Sequence, residues 1–240
     1  MTNSDATRTD RPRDRRRRAR IEAILNGSMS ILLTDGVDAL TMRRLADSLD
    51  LTAGAIYRYF PGKGAILSSL GHRALTSLSE NMDREEARIR AANSTSPCAE
   101  DALHLVIARA WAYWDFCLKA PGTWRLINLM LVDPRRFIPE GQPHVEFMSL
   151  VFSQITCMAA LLDGAAGVGA LRADEPGIAR AMGVLATLNG SLHLTKLAET
   201  APVAFDPSQT LRLLLDGLLR GWGADPSVLE LVWYRVDAEK

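Results

Sequence analysis

One short stretch of the chain gathers Thr41, Arg43, Arg44, Thr52, Ala53, Gly54, Tyr57, Arg58, Tyr59 and Lys63. Hydroxyls, phenols, guanidinium groups and an ammonium are the groups that hydrogen-bond phosphate oxygens. Small Ala53 and Gly54 let a backbone come close to a partner. Arg58 suits a base edge such as guanine, in a major groove that admits one helix. Taken singly, each residue also fits a solvated face with two half-buried tyrosines. As an ordered set they point to double-stranded DNA.

The elements that must hold these groups are two very short helices. Thr41 is placed to cap the first, whose Leu45, Ala46 and Leu49 face inward. Thr52 is placed to cap the second, and Leu51, Ile56 and Phe60 complete the apolar side. Asp50 sits at the turn between them. Helices this short do not persist alone, so they require support. A preceding helix offers Ile21, Ile24, Leu25 and Leu32, and a following one Ile66, Leu67 and Leu70. The pattern is a helix-turn-helix on a supporting bundle.

Thr-Met-Arg-Arg-Leu-Ala at 41–46, then Thr52-Ala-Gly-Ala-Ile-Tyr-Arg-Tyr-Phe60 and Lys63, resembles the DNA-binding domain of the tetracycline-repressor (TetR) family. The upstream Ile31-Leu-Leu-Thr-Asp-Gly36-Val-Asp-Ala-Leu40 is similar to that family's first helix and glycine turn. The likeness covers roughly residues 18–70, with Asp50 at a turn position usually held by glycine and Gly64 where an acidic residue is usual. It implies that Thr41, Tyr57, Tyr59 and Lys63 hold phosphates while Thr52, Ala53, Gly54 and Arg58 lie at the groove. It also implies a C-terminal helical domain that dimerises and binds a small-molecule effector. The expected protein is then a dimeric repressor on a palindromic operator, released by its ligand.

Charge is distributed unevenly along the chain. Residues 1–73 hold 13 basic and 8 acidic side chains; with 28 of each overall, residues 74–240 keep 15 basic and 20 acidic. Only the N-terminal part is suited to a polyanion. Its Arg15-Arg16-Arg17-Arg18 run reads either as an arm along the minor groove or phosphates, or as a disordered tail merging into a solvated helix.

At 240 residues, 48% hydrophobic and 23% charged, the chain is not a disordered one. Ser96-Pro97, Asp133-Pro134, Asp206-Pro207 and Asp225-Pro226 each read as a capping side chain followed by proline at the first helical position. Between these marks apolar residues recur at helical spacing and no strand pattern appears, so the expected fold is all-α. Helices are predicted over 15–34, 42–49, 53–59, 62–92, 98–119, 121–132, 143–162, 176–199, 207–222 and 226–235, with a mobile glycine loop at 163–174. The organisation expected is a flexible basic arm at 1–14, a DNA-binding domain at 15–73 and an effector and dimerisation domain at 74–240. Coupling between the two domains is expected to run through the helix at 62–92.

Within the last domain, Val184, Leu188 and Leu192 with Leu211, Leu214, Leu215, Leu218, Leu219 and Trp222 offer apolar faces for a four-helix homodimer interface, or for an ordinary core. His104, Trp111, Trp114, Trp124, Asn128, Asn189 and His193 are the candidate effector-binding residues, with Asp115 on the same stripe as Trp111; core packing is the competing use. Cys98, Cys117 and Cys157 form neither a disulfide framework nor a metal cluster, which favours a cytoplasmic setting. His72, His104, His144 and His193 lack metal-ligand spacing, and no nucleophile elbow or phosphate loop is present. No enzyme activity, cofactor or metal is expected. Polar breaks between Val145 and Leu162 argue against a membrane span. The competing readings are an effector-independent or activating DNA-binding regulator, and a helical ligand-binding protein with enzyme activity in its C-terminal domain.

Overall fold

Several helices begin where a side chain accepts one of the first unpaired amides, and several close on a residue of positive φ. In this computed structural model residues 11–92, 98–132, 143–200 and 206–238 are described. Among the described residues the regular elements are α1 (Pro12–Asp35), α2 (Met42–Ser48), α3 (Ala53–Tyr57), α4 (Lys63–Ala92), α5 (Ala99–Lys119), α6 (Pro121–Val132), α7 (Pro143–Gly167), α8 (Gly177–Thr200), α9 (Pro207–Gly221) and α10 (Pro226–Ala238). The fold is all-α, as expected.

Four of the expected caps or starts can be checked directly. Thr41 Oγ1 accepts the Arg44 amide at 3.1 Å, and Thr52 Oγ1 accepts the Ala55 amide at 3.3 Å. Asp206 Oδ1 accepts the Ser208 amide at 2.8 Å, and Asp225 Oδ1 does the same for Ser227 at 2.8 Å. Both aspartates are held below the usual carboxylate range, chiefly by the serine hydroxyls that donate to them. Ser96-Pro97 and Asp133-Pro134 lie outside the described residues. The helix expected from 98 starts at Ala99, and Cys98 Sγ accepts the Asp101 amide at 3.4 Å.

Other boundaries differ from expectation for identifiable reasons. Pro12 stands at the first position of α1, so helix begins there and residues 12–14 of the expected flexible arm are helical. Residues 1–10 of that arm lie outside the described residues. The second helix of the motif stops at Tyr57, because Phe60 precedes Pro61 and the chain must leave the helical region before it. The expected loop at 163–174 shrinks to 168–176, since α7 runs on to Gly167. Its end is a Schellman closure: Ala170 N–H reaches Ala165 O at 2.9 Å and Gly169 N–H reaches Ala166 O at 3.0 Å, with Gly169 at φ 75°. One glycine of the cluster ends the helix while the other two sit within it.

The same closure ends α2. Leu51 N–H bonds Ala46 O at 2.9 Å and Asp50 N–H lies 3.4 Å from Asp47 O, with Asp50 at φ 52°. Aspartate is one of the few residues that accepts this conformation, so the usual glycine is dispensable here.

The chain divides into two compact units, Met1–His72 with Leu129–His144, and Arg73–Asn128 with Val145–Lys240. In the first, α1 packs on α2 and α2 on α3. Ile24, Leu45, Ile56, Ile66 and Leu70 are wholly buried. In the second, α8 packs on α9 and α5, and α10 packs on α5.

One expectation for the second unit is corrected. Val184, Leu188, Leu192, Leu211, Leu215 and Leu219 are each no more than 3% exposed within a single chain. They belong to its own core and are not a surface for another subunit. Helical spacing marks a face as buried without naming what covers it. Of the residues expected at the interface, Leu214 is exposed and Leu218 and Trp222 are half-buried. The stretch Val145–Gly167 is long and apolar enough to cross a bilayer by length and composition alone, a test that the core helix of a folded domain also passes. Phe147, Leu162 and Ala165 on it are wholly buried in the protein, whereas Val145 and Phe152 are exposed.

The first residue of α8 is pressed onto α7. Gly177 N–H donates to Asp163 Oδ1 at 2.8 Å, and a Cβ there would strike the Ala159 carbonyl and lie 2.5 Å from Asp163 Oδ1. Gly177→Ala is therefore expected to cost about 1–3 kcal/mol and several degrees in Tm. Gly164→Ala, with nothing within 4 Å of its Cβ, leaves Tm unchanged or slightly raised. Equal melting temperatures for the two variants would refute this close approach.

Candidate nucleic-acid interface

The polar side of the α2–α3 pair is built on a buried opposite side. Leu45, Ala46, Ile56 and Phe60 are between 0 and 6% exposed, and α2 packs on both α1 and α3. What the two helices leave outside is Thr41, Arg43, Arg44, Thr52, Gly54, Tyr57 and Arg58, all exposed, with Ala53 and Tyr59 half-buried. Thr41 and Thr52 accept backbone amides through their hydroxyl oxygens, so each O–H proton remains available to a phosphate. A Cβ at Gly54 would meet nothing within 4 Å, so the start of α3 is sterically open.

Two of the expected contacts have intramolecular partners. Arg44 Nη2 pairs with Asp35 Oδ2 at 2.6 Å, both side chains being substantially exposed. An exposed pair of this kind is weak and exchangeable. Lys63 Nζ donates to Val37 O at 2.6 Å, tying the first residue of α4 to the turn before α2. Lys63 therefore positions the motif as well as carrying a charge. Arg58 lies just past α3, at φ −68° and ψ −19°, where it closes the helix.

Beside this surface is a feature the sequence reading did not assemble. Arg58 and Tyr59 share a cleft of about 1070 Å³ with the first turns of α1. The signal was present as an arginine run, but its helical phase depended on where α1 begins.

Apart from His104, the candidate effector residues separate into two groups, one formed between α6 and α8 and one on α5. Trp124, Asn128, Asn189 and His193 come together. Trp124 Nε1 donates to Asn189 Oδ1 at 3.4 Å, Asn128 Nδ2 lies 3.0 Å from His193 Nε2, and the Trp124 and His193 rings meet edge-on at 5.0 Å. Tyr113, which sequence reasoning missed, adds its hydroxyl to Asn189 Oδ1 at 3.3 Å. Burial raises the Tyr113 phenol above its usual range and pushes the neighbouring Cys117 thiol up to about 12. Cys117 is therefore a protonated core thiol at neutral pH, unsuited to nucleophilic chemistry.

Trp111 and Trp114 stand elsewhere, with ring centroids 5.3 Å apart. Together with Asp115 they line a cleft of about 670 Å³ whose rim includes Arg84, Arg88 and Lys119. Arg88 pairs with Glu85 at 2.7 Å and Lys119 with Asp115 at 2.7 Å. The Arg88 guanidinium holds the Glu85 carboxyl below its usual range. His104 is buried in α5 at 1% exposure. Among the described residues no group of three His, Cys, Asp or Glu side chains is arranged to hold a metal ion.

Comparison with known proteins agrees with the geometry of the first unit. Residues 24–70 match the family model described as bacterial regulatory proteins, tetR family. The HTH-type transcriptional repressor KstR of Mycobacterium tuberculosis is 37% identical over 67 residues, 28% of this chain and 30% of that protein. The nucleoid occlusion factor SlmA of Actinobacillus pleuropneumoniae is 27% identical over 132 residues, 54% of this chain and 60% of its own. The chain thus spans less than two thirds of the length of the curated relatives it matches. A solved tetR-family regulatory protein from Rhodococcus RHA1 shares the fold at TM-score 0.63 and 18% identity, over 85% of this chain and 97% of that one. The capped α2–α3 pair, its outward arginines and tyrosines and the family match fall on the same residues, so residues 24–70 of this chain are similar to the DNA-binding segment of the tetR family of bacterial regulatory proteins.

Proposed function

We propose that the chain is a one-component transcriptional repressor that binds a palindromic operator as a homodimer and is released by a small molecule. The observation that carries this reading is the α2–α3 surface. Exposed Arg43, Tyr57 and Arg58 stand on helices whose opposite faces are buried, and the family match falls on those residues. Arg58 and the open backbone at Gly54 face the major groove, while Thr41, Thr52, Tyr57, Tyr59, Arg43 and Arg44 hold phosphates.

Twofold pairing uses what the chain leaves uncovered. Ile178 and Met182 are 48% and 50% exposed on α8, and Leu214 is 43% exposed on α9, two helices that pack together. These residues replace the buried leucines as the interface, and half-sites then lie about 34–36 Å apart or a multiple of that. The effector site is the cleft beside Trp111 and Trp114. Its volume of about 670 Å³ suits a small ligand, and Arg84 at its rim favours an apolar molecule with an anionic or carbonyl end. Effector-independent DNA binding is the second reading, and the likeness to a nucleoid occlusion factor supports it.

Selection of bound sites from a random duplex library is expected to enrich a palindrome, and Arg58→Ala to weaken or relax it by about 1–3 kcal/mol at one position per half-site. Binding that lacks any sequence preference and vanishes in salt would overturn the repressor reading. Met182→Arg with Leu214→Arg is expected to halve the mass measured by light scattering without loss of helicity; an unchanged dimer would place the interface elsewhere. A panel of apolar and amphipathic anions is expected to quench tryptophan fluorescence and loosen operator binding, both more weakly in Arg84→Ala. If no compound does either, the second reading replaces the first.

A further inference from the structure

The first two turns of α1 are built against the electrostatics of a helix. Arg13, Arg16, Arg17 and Arg20 follow i, i+3, i+4, i+7, so the four guanidinium groups share one face. All four are exposed, and none has an ion pair among the described residues. Like charges at this spacing repel one another along the helix. Cations in the first turns also oppose the positive end of the helix dipole. Asp14, the one acidic side chain in the first turn, is outnumbered. Among the described residues only Asp14, which lines the same cleft, offsets this arrangement in part; a polyanion would offset both of its costs.

Position supplies the rest. The four arginines line the cleft of about 1070 Å³ that also contains Arg58 and Tyr59. Arg15 and Arg18 are not part of that lining. They fall on the opposite side of α1 and have interactions of their own. From Arg13 to Arg20 the helix advances about 10 Å. Duplex DNA presents about six phosphate charges over that length. Because Arg58 and Tyr59 belong to the same cleft, a backbone lying along α1 is contiguous with the groove in which α3 sits.

We infer that the Arg13–Arg16–Arg17–Arg20 face of α1 seats the sugar-phosphate backbone of the operator beside the segment read through Arg58. The site rests on the DNA-binding reading above and extends it. The grip is helical, preformed and sequence-independent, and it acts by counterion release and not by base recognition. It also assigns the arginine run a definite register: Arg16 and Arg17 belong to the face that meets DNA, and Arg15 and Arg18 to the opposite one.

The test is equilibrium binding of the full chain to its selected operator duplex at several salt concentrations. Arg13→Ala, Arg16→Ala, Arg17→Ala and Arg20→Ala combined are expected to make the log K against log salt slope shallower by about 3 per bound chain. Affinity falls at least tenfold at low salt, while the enriched palindrome stays the same. Lysine at the same four positions should restore the wild-type slope. Arg15→Ala with Arg18→Ala should leave the slope within one unit of wild type, and circular dichroism checks that α1 persists in each variant. Equal slopes for wild type and the fourfold alanine variant would overturn the α1 grip and leave the repressor reading intact. So would a loss as large from Arg15→Ala with Arg18→Ala, or a lysine variant as weak as the alanine one. A wild-type chain without sequence preference sinks the repressor reading instead, and one that binds no duplex at all sinks both.

Discussion

Two helices of seven and five residues cannot hold themselves, and the functional surface of this protein is mounted on them. A helix that short gains too few internal hydrogen bonds to offset the cost of its first turn. What keeps α2 and α3 in place is the burial of Leu45 and Ile56 at zero exposure, with Ala46 and Phe60 close behind. Threonine caps start both helices, and a left-handed Asp50 turns one into the other. The Lys63 ammonium on the Val37 carbonyl then ties the following helix to the turn that precedes α2. Every outward group on the polar side of the pair inherits its position from these inward ones. Under the proposed function, changing a core residue here alters recognition without touching an outward side chain.

The larger unit depends on buried cations for the register of its helices. Arg109 is 2% exposed in α5 and reaches Asp83 at 3.1 Å, Glu86 at 2.6 Å and Gln154 at 2.5 Å. Gln154 in turn donates to Ser79 at 2.5 Å, so α4, α5 and α7 are joined through one guanidinium. Arg180 is wholly buried, bonded to the Arg172 carbonyl and to Asp174 at 2.9 Å, with its guanidinium carbon 5.8 Å from the Trp222 ring centroid. Such pairs add little net stability over apolar packing, yet losing one partner strands a charge in low dielectric. A helix that slipped by one turn past its neighbour would do just that. The network therefore penalises misregister more than it stabilises the correct fold.

How much of this was legible in the sequence depended on the range of the interaction. Caps are local, and Thr41, Thr52, Asp206 and Asp225 behave as their types and spacing require. Glycines were harder. Gly164, Gly167 and Gly169 look alike in sequence, but only Gly169 adopts a positive φ and ends the helix. Apolar periodicity identified the buried stripe Leu211, Leu215 and Leu219 correctly as buried, and said nothing of whether another subunit or the same chain covers it. The effector candidates divided for a similar reason. Trp111 and Tyr113 are two residues apart, about 200° around a helix, so one side of α5 gathers Tyr113 with Asn189 while another gathers Trp111 with Trp114. Arg109, the residue that joins three helices, gave no signal at all, because a lone arginine in an apolar helix has no partner in local sequence.

A chain with 28 basic and 28 acidic side chains is not an obvious partner for a polyanion, and the resolution lies in the range of the forces. At physiological ionic strength charges are screened over about 8 Å, so a phosphate senses the few groups beside it and not the sum over the protein. What matters is that Arg13, Arg16, Arg17, Arg20 and Arg58 share one cleft within residues 1–73, where basic residues exceed acidic ones by 13 to 8. The acidic excess of residues 74–240, 20 to 15, has a separate consequence. Under the proposed function, it leaves those residues with little local attraction for a polyanion. Overall neutrality is then compatible with the proposed binding, because the charge is concentrated where the short helices are held.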